Sequence, residues 1–106
     1  EDVVTFPILA LGGRGVISVA SNLVPGLMAD MVHRALDGDL RGSGEIHYRL
    51  LRLFRHLFLE TNPLPVKTAL GLMGIPVGPF RLPLCEMEEE NVEVLRGTLS
   101  ELELLR

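Results

Sequence analysis

The chain has 106 residues, a net charge of −4 and a mean hydropathy of +0.32. That length allows one ordinary domain, and the acidic balance excludes a basic stripe of the kind that holds nucleic acid. No run of about eighteen apolar residues is present, so no membrane-crossing helix is expected. Lys67 is the only lysine and Cys85 the only cysteine, which rules out an internal disulfide and points to a reducing, cytoplasmic setting. The opening Glu1-Asp2-Val3-Val4-Thr5-Phe6-Pro7 has neither a basic region nor a small-residue cleavage site, so it does not read as a signal peptide. It also lacks an initiator Met, from which the true start is expected elsewhere.

Taken in chain order, Asp2 can cap a short helix toward Leu11, with Val3, Phe6, Leu9 and Ala10 as a loose apolar stripe. Pro7 suits only the first turn of such a helix, because an interior proline removes a hydrogen bond and crowds the preceding turn. Gly12-Gly13 stops it. Gly15-Val16-Ile17-Ser18-Val19 is short, rich in β-branched residues and apolar on both faces, the pattern of a buried parallel strand. Nothing else in the chain reads as a strand. A buried strand needs neighbours on both edges, so the rest of its sheet is expected outside these residues.

From Pro25 the signals are helical. Leu27, Met28, Met31, Val32, Ala35 and Leu36 recur at helical spacing until Gly38. A second helix is predicted from Asp39 or Leu40, with Ile46, Leu50, Leu53, Phe54, Leu57 and Phe58 as its apolar face and Gly42 and Gly44 weakening its first turns. Asn62-Pro63-Leu64-Pro65 ends it. A short helix over 66–73 closes at Gly74, residues 78–83 form an irregular connector, and a last helix is predicted over 88–105 with Val92, Leu95, Leu99 and Leu102 on one face. The chain alone is therefore mostly α.

Few residues offer chemistry. Lys67 could form a Schiff base if burial lowered its pKa, but it lies in the first turn of a helix after two prolines, and the structural reading is favoured. Glu1 and Asp2 pair two carboxylates; helix capping is the simpler reading for Asp2. His33, His47 and His56 are not at metal-ligand spacing, so no metal is expected. Arg14 lies between glycines, but its Gly-Gly-Arg-Gly precedes a strand, the wrong order for a dinucleotide fingerprint. Cys85 reads as a small apolar residue.

Three segments carry a resemblance. Residues 11–22, Leu-Gly-Gly-Arg-Gly-Val-Ile-Ser-Val-Ala-Ser-Asn, resemble the last helix-to-strand step of the dihydrodipicolinate synthase barrel. Asn62-Pro63-Leu64-Pro65-Val66-Lys67 followed by Ala69-Leu70 is similar to the Asn-Pro-x-Pro-Val-Lys segment of that family's carboxyl-terminal helical region, and favours this branch over the sialic acid lyases. Arg81-Leu82-Pro83-Leu84 is similar to the Arg-Leu-Pro run before its last helix, and Gly38-Asp39 and Leu57-Phe58 also match.

The resemblance implies an α/β fold: the closing portion of a TIM (β/α)8 barrel over 1–38, its last helix, strand and helix, then a carboxyl-terminal helical domain over 39–106. It implies a fragment of a cytoplasmic class I aldolase, a lyase of lysine (diaminopimelate) biosynthesis. Such an enzyme condenses pyruvate, held as a Schiff base, with aspartate semialdehyde, uses no cofactor and assembles as a homotetramer. The Schiff-base lysine and the catalytic tyrosine fall in earlier barrel segments, so this chain is expected to hold no catalytic residue and to be inactive alone. Ile17 matches the residue whose backbone borders the pyruvate pocket, and Val19 follows on the same side. Glu1 and Asp2 match the acidic pair near which the second substrate enters, and Leu11 matches a position in the dimer–dimer contact. Pro7 departs from the usual residue on that helix. Two alternatives stay open: a related lyase of 2-keto-3-deoxy sugar acids or sialic acid, and a helical scaffold module without catalysis.

Overall fold

A computed structural model describes residues 1–105. They form five α-helices: α1 (Thr5–Ala10), α2 (Pro25–Leu36), α3 (Leu40–His56), α4 (Leu64–Leu72) and α5 (Glu89–Glu101). Single 3-10 turns lie at Asp2–Val4 and Ala20–Asn22. The chain divides into two compact units, Glu1–Phe54 and Arg55–Arg106, with the division inside the last turn of α3.

The helix boundaries follow local chemistry. Pro7 is the third residue of α1, where its missing N–H belongs to a turn without intrahelical acceptors. Pro25 opens α2, and Pro65 stands in the first turn of α4. Asp39 caps α3, its Oδ1 accepting from the Gly42 N–H at 2.9 Å. That bond, and then the Arg34 guanidinium 3.0 Å away, hold the Asp39 carboxyl below its ordinary range.

Four helices end in the same way. The N–H two residues past the cap bonds back to the carbonyl five earlier, as in Gly13 to Ile8, Asp39 to Arg34, Ile75 to Leu70 and Leu104 to Leu99, all at 2.8–2.9 Å. The left-handed residue this closure needs is Gly12, Gly38 and Gly74 at the first three ends, and Glu103 at the fourth, with φ of 58°. α5 consequently stops at Glu101 and does not reach residue 105.

In unit 1 the core is Leu9, Ala20, Leu23, Val24, Met28, Met31, Leu50, Leu53 and Phe54. Leu50, Leu53 and Phe54 of the predicted face are the buried residues of α3, joined toward its start by Ser43, Gly44 and His47; Ile46 is half-buried, and Leu57 and Phe58 lie beyond the helix end at His56. The Ser43 hydroxyl donates to the Met31 carbonyl at 2.7 Å. A Cβ on Gly44 would stand 3.2 Å from Phe6 Cζ, so glycine there lets the Phe6 ring close on α3. Its propensity cost in the first turns of α3 is offset by that packing. In unit 2, Leu57, Leu64, Val66, Ala69, Met87, Leu95 and Leu99 are buried. Glu60 Oε2 accepts from the Glu88 N–H and from Asn91 Nδ2, both at 2.9 Å, and thereby anchors the start of α5.

The strand predicted over 15–19 does not form. Among the described residues there is no strand, and residues 13–18 run without regular structure into the Ala20–Asn22 turn. Ile17 is fully exposed and Val16 is 38 % exposed. The physical reason is the one that made the strand conspicuous: a ladder needs the N–H and C=O groups of neighbouring strands, and these residues supply none. The expectation that Asp2 caps its own helix also needs correction. Asp2 lies inside the first 3-10 turn, makes no cap there, and turns its carboxylate toward residues 18–20.

Candidate functional site

Of the residues singled out around the chain start, Asp2 and Val19 meet. Asp2 is buried, at 1 % exposure. Its Oδ1 accepts from the Ser18 hydroxyl, and its Oδ2 accepts from the Val19 and Ala20 N–H groups, each at 3.0 Å. Ser18 Oγ in turn accepts from the Ser21 N–H at 2.9 Å, while the Ser21 hydroxyl returns a bond to the Ser18 carbonyl at 3.1 Å. The Asn22 amide closes the set on the Val19 carbonyl. A carboxylate accepting consecutive backbone N–H groups is charge-assisted and directional. It thus caps the Ala20–Asn22 turn from a residue far upstream in the sequence.

This anchorage presents the rest of the segment outward. Ile17 projects its whole side chain, Val19 is half-buried, and Glu1 and Arg14 are exposed. Gly15, Val16, Ser18, Ser21, Pro25, Met28 and Val32 line a recess of about 310 Å³ beside it. Leu11, 89 % exposed, stands past the end of α1. The structure brings Asp2 together with Ser18 and Val19; it leaves Glu1, Leu11 and Ile17 as surface groups. Backbone and apolar surface of this kind can shape a pocket wall but cannot by themselves move a proton.

Lys67 is held elsewhere, in unit 2. Its Nζ donates to the Pro79 carbonyl at 3.1 Å and stands 4.9 Å from the Phe80 ring centroid. Both contacts tie the side chain to the connector that carries Pro79 and Phe80. A cavity of about 370 Å³ beside it is lined by Gly71, Val77, Phe80, Glu86 and Met87. Cys85 is exposed rather than buried as its residue type suggested.

The histidines divide sharply. His33 is exposed, and His56 Nδ1 pairs with Thr98 Oγ1. His47 is buried among Phe6, Tyr48 and Phe54, whose ring centroids lie 5.5, 5.1 and 6.1 Å away. Its Nδ1 has no hydrogen-bond partner, and burial pushes its pKa down. Spacing tests for metal ligation pass over such a residue. The signal that could have found it is its helical register, three residues before Leu50 and seven before Phe54.

A sequence model of the dihydrodipicolinate synthetase family matches residues 1–102. The chain belongs to that family. The 4-hydroxy-tetrahydrodipicolinate synthase of Methanocaldococcus jannaschii is 54% identical over 105 residues, which are 99% of this chain and 36% of that protein. The synthase of Archaeoglobus fulgidus is 49% identical over the same share of each chain. Among solved structures, the dihydrodipicolinate synthase of Thermotoga maritima superposes with a TM-score of 0.95 at 47% identity, over 99% of this chain and 36% of its own. The chain therefore spans about a third of the length of the relatives it matches. The missing strand fits that share, since these residues carry only part of a family member. No helix among the described residues is long and apolar enough to cross a membrane.

Proposed function

We propose that these residues are the carboxyl-terminal portion of a 4-hydroxy-tetrahydrodipicolinate synthase, the closing part of its (β/α)8 barrel over 1–38 and its helical domain over 39–106. The whole enzyme is a cytoplasmic, cofactor-free lyase and a homotetramer. It joins pyruvate, held as a Schiff base on a barrel lysine, to aspartate semialdehyde in lysine biosynthesis. The observation that carries this reading is agreement along almost the whole chain, with sequence identity of 54% to one synthase and a TM-score of 0.95 to another. Those relatives are named as synthases, which favours this reaction over cleavage of sugar acids or sialic acid.

On this reading residues 15–19 are the last barrel strand, buried once its neighbours are present. The main chain of Ile17 and the side of Val19 wall the pyruvate pocket. Glu1 and Asp2 lie where the second substrate approaches, and Leu11 belongs to the contact between dimers. Lys67 braces the 77–81 connector through Pro79 and takes no part in imine formation.

Two experiments test the reading. The chain alone, treated with pyruvate and borohydride, should show no mass increase; an adduct on Lys67 would refute the assignment of the Schiff base to other barrel segments. A chimera in which this chain replaces the matching residues of the Methanocaldococcus jannaschii synthase should form the imine on a lysine outside the transplanted part. It should also turn over aspartate semialdehyde in preference to 2-keto-3-deoxy sugar acids. A chimera that folds but traps no pyruvate refutes the functional reading.

A further inference from the structure

We infer that Asp2 is a positioning residue: its buried carboxylate fixes the segment from Ser18 to Ala20, and through it the main chain of Ile17 that faces pyruvate. The inference rests on the functional reading above for the role of Ile17, and departs from it in what Asp2 does. A carboxylate that met the incoming aldehyde would need open oxygens. The oxygens of Asp2 are instead occupied by Ser18 Oγ and by the Val19 and Ala20 N–H groups, and the residue is 1 % exposed.

The placement of Ile17 shows why such a brace is needed. Its side chain is fully exposed in this chain and contributes no anchoring contact of its own. On its amino-terminal flank lie Gly12, Gly13, Arg14 and Gly15, a run in which glycine leaves the backbone the widest conformational choice. Within these residues the restraint therefore comes from the carboxyl-terminal flank, where Ser18 is the next residue. Two successive backbone N–H groups and the hydroxyl before them, gathered on one carboxylate, fix both the position and the direction of that flank. A group whose carbonyl must meet a small substrate within a few tenths of an ångström depends on that kind of rigid support.

The test uses the chimera described above, with pyruvate and aspartate semialdehyde varied separately. Asp2→Asn keeps the size but removes the charge and replaces one acceptor oxygen by an NH2 group, so that Ser18 Oγ and the two N–H groups can no longer all donate to the side chain. Ser18→Ala removes one of the three bonds and is the milder variant that carries the test if Asp2→Asn fails to fold. Expected is a rise in KM for pyruvate of about tenfold for Asp2→Asn and about threefold for Ser18→Ala, with KM for the aldehyde unchanged. The pyruvate concentration that half-saturates the borohydride-trapped imine should rise in parallel. A rise in KM for the aldehyde with pyruvate saturation unchanged overturns the inference and makes Asp2 a contact of the second substrate. A lowered Tm with both KM values unchanged also overturns it, leaving Asp2 a stabilising residue only. Failure of the functional reading is separately visible, because the unsubstituted chimera then forms no imine.

Discussion

Replacing Ile17 by alanine should have opposite consequences in the chain alone and in the chimeric barrel. In the chain alone the side chain is 101% exposed, so alanine removes no buried surface. Stability should then change by less than about 0.5 kcal/mol, as at other surface positions. For a chain of this size that is a shift in Tm of no more than about 4 °C. On the proposed function, Ile17 in the chimera belongs to a strand covered on both faces, where the transfer of a full isoleucine would contribute about 1.5–3 kcal/mol. The cavity left behind raises the expected loss to about 2–5 kcal/mol. Guanidinium unfolding followed by far-ultraviolet circular dichroism reads both values, with the slope m checked for constancy between parent and variant. A loss above about 1 kcal/mol in the chain alone would refute the exposure of Ile17. A loss below that in the chimera would refute burial of residues 15–19 as a barrel strand.

Three further outcomes follow from the packing. His47 is held neutral by burial, so its folded pKa lies below the unfolded value of about 6.5. Above that pH both states are unprotonated there; as pH falls through it the unfolded chain takes up the proton first, and stability is lost until the lower folded value is passed. His47→Phe should flatten this slope below about pH 6.5, and at pH 7 should stabilise by about 1 kcal/mol by removing an unpartnered buried nitrogen. Urea midpoints measured across that range check both. Glu103→Gly should raise stability by about 0.5–1 kcal/mol, because φ of 58° carries a steric cost for any residue with a Cβ; an unchanged or lower Tm would contradict it. Glu60→Ala removes the acceptor of two bonds at the start of α5 and should cost about 0.5–2 kcal/mol, with faster amide exchange at Glu88 as the local sign.

Much of the helical framework was legible because its determinants are local. Gly12, Gly38 and Gly74 mark three helix ends, and the spacing of Leu50, Leu53 and Phe54 marks the buried face of α3. The chemistry of Asp2 was legible too, as a capping carboxylate, but not its object. Short-range reasoning aims a cap at the next helix, whereas this one reaches 16 to 18 residues along the chain. Glu60 escaped for the same reason, since its partners at Glu88 and Asn91 lie 28 and 31 residues away. Residues 15–19 expose a different limit. Their apolar, β-branched pattern is that of a strand buried between neighbours, and the described residues offer no ladder to join. Ligand spacing carries no information about His47; its place on the buried face of α3 does.

The Asp2 tether also has a consequence in time. Contacts separated by 16 to 18 residues close early, because a loop of roughly this length forms in about 10–100 ns, long before distant strands can register. Residues 1–22 can thus take their bend as a local event, independent of the rest of a barrel. The final edge would then arrive already shaped, and closing the barrel would be a docking of matched surfaces rather than a search by a loose end.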